Sequence, residues 1–236
     1  MRNRLVIAGA AVAAAAALVG AGAYVYFFSG LRSSPSPLAL SAATPSGTPS
    51  TGTLAGKWTV AGGSVAGYRV NEVFVGTTSN HEAVARTSSV SGRLTVSGDS
   101  SGYQVNAITI TAVLTDLHSV DSVAGRDVSQ RDGFVARSMN LQQYPNATFT
   151  ASSATVTPTT TGQPVQISLP GTLTIRGVTK NVTANIQAQQ NGTKVEVSGK
   201  VAIDMTDYGV APPSVPFTAV DSKVTIEFDI FLTKTG

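Results

Sequence analysis

The sequence predicts an all-β domain that follows an N-terminal membrane-spanning helix. Three observations lead to this prediction. Apolar and polar residues alternate in run after run beyond Lys57, which is the pattern of half-buried strands. Residues 5–28 contain no charged side chain. Only 12% of the 236 residues are charged, against about 25% in ordinary soluble domains. This composition indicates a membrane or envelope protein rather than a typical cytosolic one.

The uncharged stretch 5–28 is long enough to span a bilayer, since about 1.5 Å per helical residue carries it past a hydrocarbon core of roughly 30 Å. A cleaved signal peptide is the alternative, because Arg2 and Arg4 precede the run and Ala21-Gly22-Ala23 resembles a cleavage site. Aromatic residues at 24–28 prolong the run and favour an uncleaved anchor over residues 1–28. In both cases the positive-inside rule places the domain outside the cytoplasmic membrane, either anchored by a single pass or secreted.

Residues 29–56 consist mostly of Ser, Thr, Pro, Gly and Ala. Such a segment buries too little apolar surface to offset its ordering entropy, so we expect a flexible linker there. The folded domain is then expected over residues 57–236.

The folded region divides into short strands separated by turn residues. Gly177 and Asn191-Gly192 stand where tight hairpin turns are needed. Residues 126–138 break the alternation and predict one short helix. Eight or nine antiparallel strands of this kind pack as a sandwich or close into a barrel. The strands are predicted at 58–64, 67–75, 84–97, 104–114, 147–156, 165–175, 178–188, 195–203 and 224–232.

The composition excludes several function classes. Without cysteine there are no disulfides, thiolate metal sites or cysteine nucleophiles. Removing Arg2, Arg4 and Arg32, which flank the apolar run, leaves 13 basic against 13 acidic residues, so no basic surface for nucleic acid is expected. No nucleophile, base and orienting group occur in a recognisable pattern. We therefore expect a protein that is not an enzyme and that uses no metal or cofactor.

Two polar clusters in the sequence are candidate sites. The first, within seventeen residues, could bind a cation or transfer protons, but it has no second histidine at ligand spacing, and a structural role around the helix is favoured. It comprises Asp116, His118, Asp121, Arg126, Asp127, Arg131 and Asp132. The second, His81 with Glu82 and Arg86, is interpreted as a solvated strand connection. The carboxylate pairs Asp204/Asp207 and Glu227/Asp229 are interpreted as outward-facing polar positions.

Three stretches resemble the YceI-like domain family. Residues 169–180, LPGTLTIRGVTK, match its most distinctive hairpin, Gly-x-Leu-x-Ile-x-Gly-Val-Thr-Lys. Residues 126–149 resemble its Arg/Asp helix and the strand entry that follows, with Tyr144-Pro145 and Phe149. Residues 207–209 and 220–224 resemble its C-terminal end. The order agrees from about residue 57 to residue 233. One departure is that many members carry a histidine soon after the Phe of the second strand, whereas here Phe74 is followed only later by His81.

The resemblance implies an extended, eight-stranded antiparallel barrel of lipocalin type that holds an isoprenoid or other long-chain amphiphile in its lumen. Arg126 and Arg131 could then pair with a phosphate headgroup. The pattern alone leaves an open lumen and a filled core equally supported, so the alternative is a stress-related or structural envelope module with a filled barrel that binds a protein. The residues expected to line the lumen are Phe74, Leu94, Ile108, Ile110, Phe149, Leu173, Ile175, Ile203 and Phe228.

Overall fold

The computed structural model describes residues 17–18, 32–42, 53–74, 80–123, 127–157, 163–191, 193–215 and 218–235. The predicted membrane segment 5–28 therefore lies outside the described residues, except for Ala17 and Leu18. Within the described ranges, no helix combines the length and the hydropathy needed to cross a membrane.

Most of the described chain is antiparallel strand, with one short α-helix and two 3-10 turns at Leu114–Asp116 and Met205–Tyr208. The helix, α1, covers Gln130–Ser138. The strands are β1 (Arg32–Ser33), β2 (Gly56–Val60), β3 (Val65–Phe74), β4 (Asn80–Thr87), β5 (Val90–Asp99), β6 (Gly102–Val113), β7 (His118–Ser119), β8 (Ser122–Val123), β9 (Asn146–Val156), β10 (Val165–Ile175), β11 (Val178–Asn191), β12 (Lys194–Asp204), β13 (Ser214–Val215) and β14 (Thr218–Thr235).

These strands close into an antiparallel barrel of eight. The pairing runs from β2 through β5, β6, β9, β10, β11 and β12 to β14. The long strand β14 pairs with β12 along one edge and with β2 and β3, placed end to end, along the other. Strand β4 pairs with β3 and continues into β5, which pairs with β2. The structure confirms the barrel over the sandwich, and closure gives every strand of the ring a partner on both sides.

The barrel has two distinct ends. The helix end carries α1 and the connections β3–β4, β6–β9, β10–β11 and β12–β14. The turn end carries the connections β5–β6, β9–β10 and β11–β12, together with the start of β2 and the end of β14. The Asp127 carboxylate accepts hydrogen bonds from the Ser129 amide and hydroxyl at 3.0 and 2.6 Å. This local turn keeps residues 127–129 out of the helix, so α1 begins later than the predicted residue 126.

The hairpin at the helix end has the predicted tight turn. Arg176 and Gly177 have φ angles of 51° and 74°, and the flanking Ile175 and Val178 are paired. Positive φ at both central residues is the two-residue turn whose twist matches the flanking strands. Asn191 pairs with Lys194, which places the second predicted hairpin where Asn-Gly indicated it, although Gly192 lies outside the described residues.

Residues 33–42, here called the strap, lie along the outer wall of the barrel. The strap begins at the helix end, where Ser33 pairs with Ser122 of β8, and Ser34 Oγ donates to the Glu82 carbonyl at 2.5 Å. Farther along, the Ser41 N–H donates to Glu196 Oε1 at 2.6 Å on β12. The strap thus crosses the barrel from the helix end toward the turn end.

The strap differs from what the linker prediction for residues 29–56 anticipates. Its backbone has no neighbouring strand over most of its length, and charged side chains of the barrel bind it instead. Arg69 donates to the Pro35 carbonyl, and Arg86 Nη2 donates to the Ser36 carbonyl at 2.7 Å. The Leu38 N–H donates to Glu227 Oε2 at 3.1 Å. These contacts order a segment whose own side chains supply little apolar surface.

Candidate functional site

The interior of the barrel is lined by apolar side chains. Ile108 is buried with Ala151, Leu169, Ala184 and Val201 at its centre. Of the residues predicted to line the lumen, Leu94, Ile110, Phe149, Ile203 and Phe228 pack against this central cluster. Leu173 and Ile175 form a second buried cluster near the helix end, with Tyr208 and Val210. Eight of the nine predicted residues therefore face inward. Phe74 pairs with Thr218 through its backbone, and its side chain lies outside the description.

The inward-facing side chains are not all completely covered by their neighbours. Several inward-facing residues from different strands remain only half-buried, although they point toward the barrel axis and pack against the central cluster. They are Leu94, Val105, Ile110, Phe149, Ile167, Val182, Ile186, Ile203, Ile226 and Phe228. In a filled core such side chains would be covered completely, because protein interiors are close-packed. The accessible surface that they retain indicates an apolar lumen.

A buried polar cluster stands at the helix end of the interior. Arg131, the second residue of α1, bridges two carboxylates: its Nη1 lies 2.7 Å from Asp121 Oδ1 and its Nε lies 3.0 Å from Glu72 Oε1. A further bond joins Nη2 to Glu72 Oε2 at 3.1 Å. His81 Nε2 lies 2.7 Å from Asp121 Oδ2. Helix α1 thus places the Arg131 guanidinium between Glu72 of β3 and Asp121, which lies between β7 and β8.

The contacts of the Arg131 guanidinium limit its capacity to bind a ligand. Its guanidinium already contacts both carboxylates, and Nη1 also lies 3.3 Å from Ser119 Oγ. A phosphate could be bound there only by displacing a carboxylate from a buried ion pair. Arg126, the other predicted headgroup contact, lies outside the described residues.

The pKa values of Tyr68 and Asp121 in this region are shifted. Burial raises the pKa of Tyr68 well above its usual value, so its phenol stays neutral. Burial also disfavours the Asp121 carboxylate, but hydrogen bonds from His81, Arg131 and the Val84 N–H outweigh it and lower the pKa of Asp121 to about 2. A neutral phenol and a firmly ionised carboxylate therefore stand at the helix end of the lumen.

The polar clusters seen in the sequence divide between structural roles and this network. The prediction of a solvated connection is wrong for His81, which is 3% exposed because it faces inward opposite Glu72. Asp132 accepts from the Ser119 N–H at 3.0 Å and so ties α1 to β7, as the structural interpretation expects. His118 is exposed. Within the described chain no group of three His, Asp or Glu side chains could hold a metal ion.

The outer wall beneath the strap is also charged and buried. Glu227, an outward position as predicted, is only 2% exposed because Arg69, Arg86 and the Leu38 N–H converge on its carboxylate. Asp229, two residues along β14, has a pKa raised to about 6 by burial and by the nearby Glu196. Its Oδ1 has no hydrogen-bond partner among the described residues.

A cavity of about 540 Å³ lies toward the helix end, beyond Asn185 and Lys200, where the pairing of β11 with β12 stops. Charged side chains of both signs line its outer part, and the Lys223 ammonium lies 2.8 Å from the Asp204 carboxylate there. The interior side chains of Val182, Ile203 and Tyr208 also line it. The cavity is therefore bordered both by charged groups of the outer wall and by the apolar interior.

The sequence interpretation missed Tyr68 and Glu72 as site residues. Both lie on β3 in phase with Val70, so alternation from that buried valine would have placed them on the inner wall. Nothing in the local pattern indicates that Glu72 meets Arg131, because the two residues are brought together by the packing of α1.

Comparison with known proteins agrees with this architecture. The model of the YceI-like domain matches residues 61–232. A solved polyisoprenoid binding domain from Saccharophagus degradans, implicated in plant cell wall breakdown, covers 77% of this chain and 99% of its own length at 16% identity with a TM-score of 0.53. This likeness shows the shared fold.

Two further solved structures are similar over a smaller share. Burkholderia cenocepacia BcnA has 19% identity and a TM-score of 0.47 over 70% of this chain and 95% of its own. A Campylobacter jejuni YceI protein has 14% identity and a TM-score of 0.42 over 61% of this chain and 81% of its own. No curated protein matches the chain. Because the family model covers nearly the whole barrel, the chain belongs to the YceI-like domain family.

Proposed function

We propose that the barrel binds a long-chain isoprenoid or similar amphiphile in its lumen, as a carrier or store and without catalysing a reaction. The observation that carries the proposal is the set of inward-facing apolar side chains that remain half-buried around the barrel axis. The similarity to a polyisoprenoid binding domain and the membership of the YceI-like family support it.

The driving force is the transfer of the apolar tail out of water. Each buried methylene contributes about 0.8 kcal/mol, so a tail of ten carbons gains roughly 8 kcal/mol before the cost of ordering the ligand is subtracted. Apolar walls of Leu, Ile, Val and Phe suit such a tail because they impose no directional contacts. The lumen therefore favours ligands that have a long apolar tail.

The polar cluster supports an uncharged headgroup for this amphiphile. Arg131 is held by Glu72 and Asp121, so its guanidinium is not free to pair with a phosphate. The neutral Tyr68 hydroxyl can donate a hydrogen bond to a carbonyl or hydroxyl oxygen. This proposal revises the phosphate headgroup expected from the sequence.

The location of the protein is proposed from the sequence. Residues 5–28 attach the chain to the cytoplasmic membrane, and the barrel lies on its outer side. A carrier in this place would exchange its cargo with the outer leaflet.

The test compares two tryptophan substitutions on neighbouring residues of β11. Ile186 faces the lumen and is half-buried, whereas Asn185 faces outward and is exposed. Ile186→Trp should block the lumen, and Asn185→Trp serves as the matched control. The full chain and both variants are purified from the native host in mild detergent, and bound lipids are extracted and identified by mass spectrometry.

The expected result is a stoichiometric long-chain amphiphile with an uncharged head in the parent chain and in Asn185→Trp, and at least a tenfold loss of it in Ile186→Trp. Equal lipid content in the two variants would contradict binding in the lumen. A phosphorylated cargo would contradict the headgroup proposal alone. An empty parent chain that also takes up no polyprenyl or acyl lipid would favour a protein-binding module.

A further inference from the structure

The strap determines which end of the barrel lies near the start of the chain. The folded domain begins with Gly56 at the turn end, so a loose linker would suspend the barrel from that end. The strap instead leads the chain back along the outer wall, and Ser33 reaches the helix end beside Ser122. The folded domain therefore starts at the turn end, whereas Ser33, which precedes it in the chain, lies at the helix end.

The contacts that hold the strap are buried and charge-assisted. Glu196 is fully buried and Glu227 nearly so, and they accept the Ser41 and Leu38 N–H groups. Gln189 Nε2 donates to the Ser41 carbonyl at 3.0 Å. Bonds of this kind are stronger than neutral ones, and breaking them would leave buried carboxylates less satisfied.

The distance to the uncharged segment follows from the sequence. Four peptide steps separate Phe28, the last residue of segment 5–28, from Arg32 of β1, so their Cα atoms are at most about 14 Å apart. Without the strap, the 28 steps to Gly56 could extend to about 100 Å. The strap thus shortens the connection between segment 5–28 and the barrel, and the connection meets the barrel at the helix end.

The helix end also carries the exposed apolar side chains of the barrel. Among the described barrel residues, the large hydrophobic side chains left exposed are Val73, Val120 and Phe134, at 41%, 36% and 47%. Val73 lies at the end of β3, Val120 lies between β7 and β8, and Phe134 lies on α1. The guanidinium of Arg137 stands 4.8 Å from the ring centre of Phe134, which places a cation beside the most exposed of them.

From these observations we propose that the helix end docks on the bilayer to which residues 5–28 attach the chain, with Phe134 and Val120 in the headgroup region. The inference rests on the proposed membrane attachment. Apolar contact and the short tether, rather than charge attraction, hold the helix end at the bilayer, because the exposed Asp127 offsets the charge of Arg137. The end of the lumen that contains Tyr68 and Arg131 then faces the outer leaflet.

The test measures the depth of single nitroxide labels on the full chain in phosphatidylcholine nanodiscs. The sequence has no cysteine, so each introduced cysteine is the only label site. Phe134→Cys and Val120→Cys report the helix end, and Ser100→Cys, in the exposed turn between β5 and β6, reports the turn end. Power-saturation measurements compare the collision rates of each label with oxygen, which concentrates in the bilayer, and with a water-soluble nickel chelate.

We expect the oxygen-to-nickel ratio at positions 134 and 120 to exceed that at position 100 by at least threefold. Equal ratios, or a higher ratio at position 100, would overturn the proposed orientation while leaving membrane attachment intact. A chain that does not enter nanodiscs would instead overturn the attachment and the orientation together. Lipid content of the lumen is measured independently of both.

A strap variant provides the matched control. Leu38→Pro combined with Ser41→Pro removes the two strap N–H donors and leaves every barrel residue unchanged. Ala39→Pro places proline in the same segment without removing either of those bonds. The double variant should bring the ratio at position 134 close to that at position 100, and Ala39→Pro should preserve the difference. If the double variant preserves it too, the strap does not set the orientation.

Discussion

Arg131 is the only described cation between two buried carboxylates of the lumen, and replacing it tests the account of the polar cluster. The Asp121 and Glu72 side chains are 0% and 8% exposed. Arg131→Met leaves both as buried carboxylates without their guanidinium, although Asp121 keeps its contact with His81. Removing one partner of a buried ion pair costs about 3–5 kcal/mol. We expect a loss in that range in the free energy of unfolding.

The assay is urea unfolding followed by the fluorescence of the single tryptophan, Trp58, which is buried in the barrel wall. Arg137→Met, on the exposed face of the same helix, is the control and should cost less than about 1 kcal/mol. Adding Glu72→Gln to Arg131→Met should recover part of the loss, because it removes one uncompensated charge. A loss below about 1 kcal/mol for Arg131→Met would refute the buried bridge.

The same network predicts a dependence on pH. The pKa of Asp121 is lowered to about 2, so its contribution to stability is complete above the usual value near 4 and is lost as the pH falls toward 2. Arg131→Met removes one cause of that lowering. Its acid unfolding should therefore begin at a higher pH than in the parent chain, and identical acid transitions would contradict this assignment.

Two further predictions concern the outer wall and the barrel wall. The pKa of Asp229 is raised to about 6, so ionisation of this carboxyl destabilises the folded state above pH 6, and the destabilisation vanishes below the usual pKa near 4. Asp229→Asn should therefore stabilise the protein by about 1 kcal/mol at pH 8 and not at pH 4. Urea titrations at both pH values would check this. A Cβ at Gly171 would lie 2.5 Å from both the Thr150 carbonyl oxygen and Phe149 Cζ, so Gly171→Ala should lower the unfolding free energy by about 1–3 kcal/mol, and an unchanged urea midpoint would contradict this close approach.

The sequence predicts the inner wall well because a strand repeats every two residues. Once Ile203 and Phe228 are assigned to apolar faces, the positions of their neighbours follow, and both side chains pack against the central cluster. The turn at Gly177 is equally local, since it depends on the backbone freedom of one residue. Closure of the barrel depends on β14 meeting β2, which no local pattern indicates; the resemblance implied a barrel, and the structure shows this pairing.

The parts that could not be predicted depend on contacts between distant segments. The strap has no periodicity, and its order comes from barrel side chains such as Glu196, which lies 155 positions from Ser41. An isolated glutamate on an outward strand position gives no sign that a peptide covers it. In the same way, Arg131 has the composition of a headgroup ligand, and only the packing of α1 shows that two carboxylates already hold it.

The long final strand also has a consequence for how the chain acquires its fold. Lys57 pairs with Thr235, and Val65 pairs with Asp229, so β2 and β3, which pair early with β5 and β4, gain their second partner only after nearly the whole chain has been made. Until then β2, β3 and β12 each present an unpaired edge with apolar residues beside it. Such late, long-range pairing slows folding and exposes the intermediate to association with other chains. Shortening β14 should therefore harm the yield of folded protein more than removing the same number of residues from any other strand.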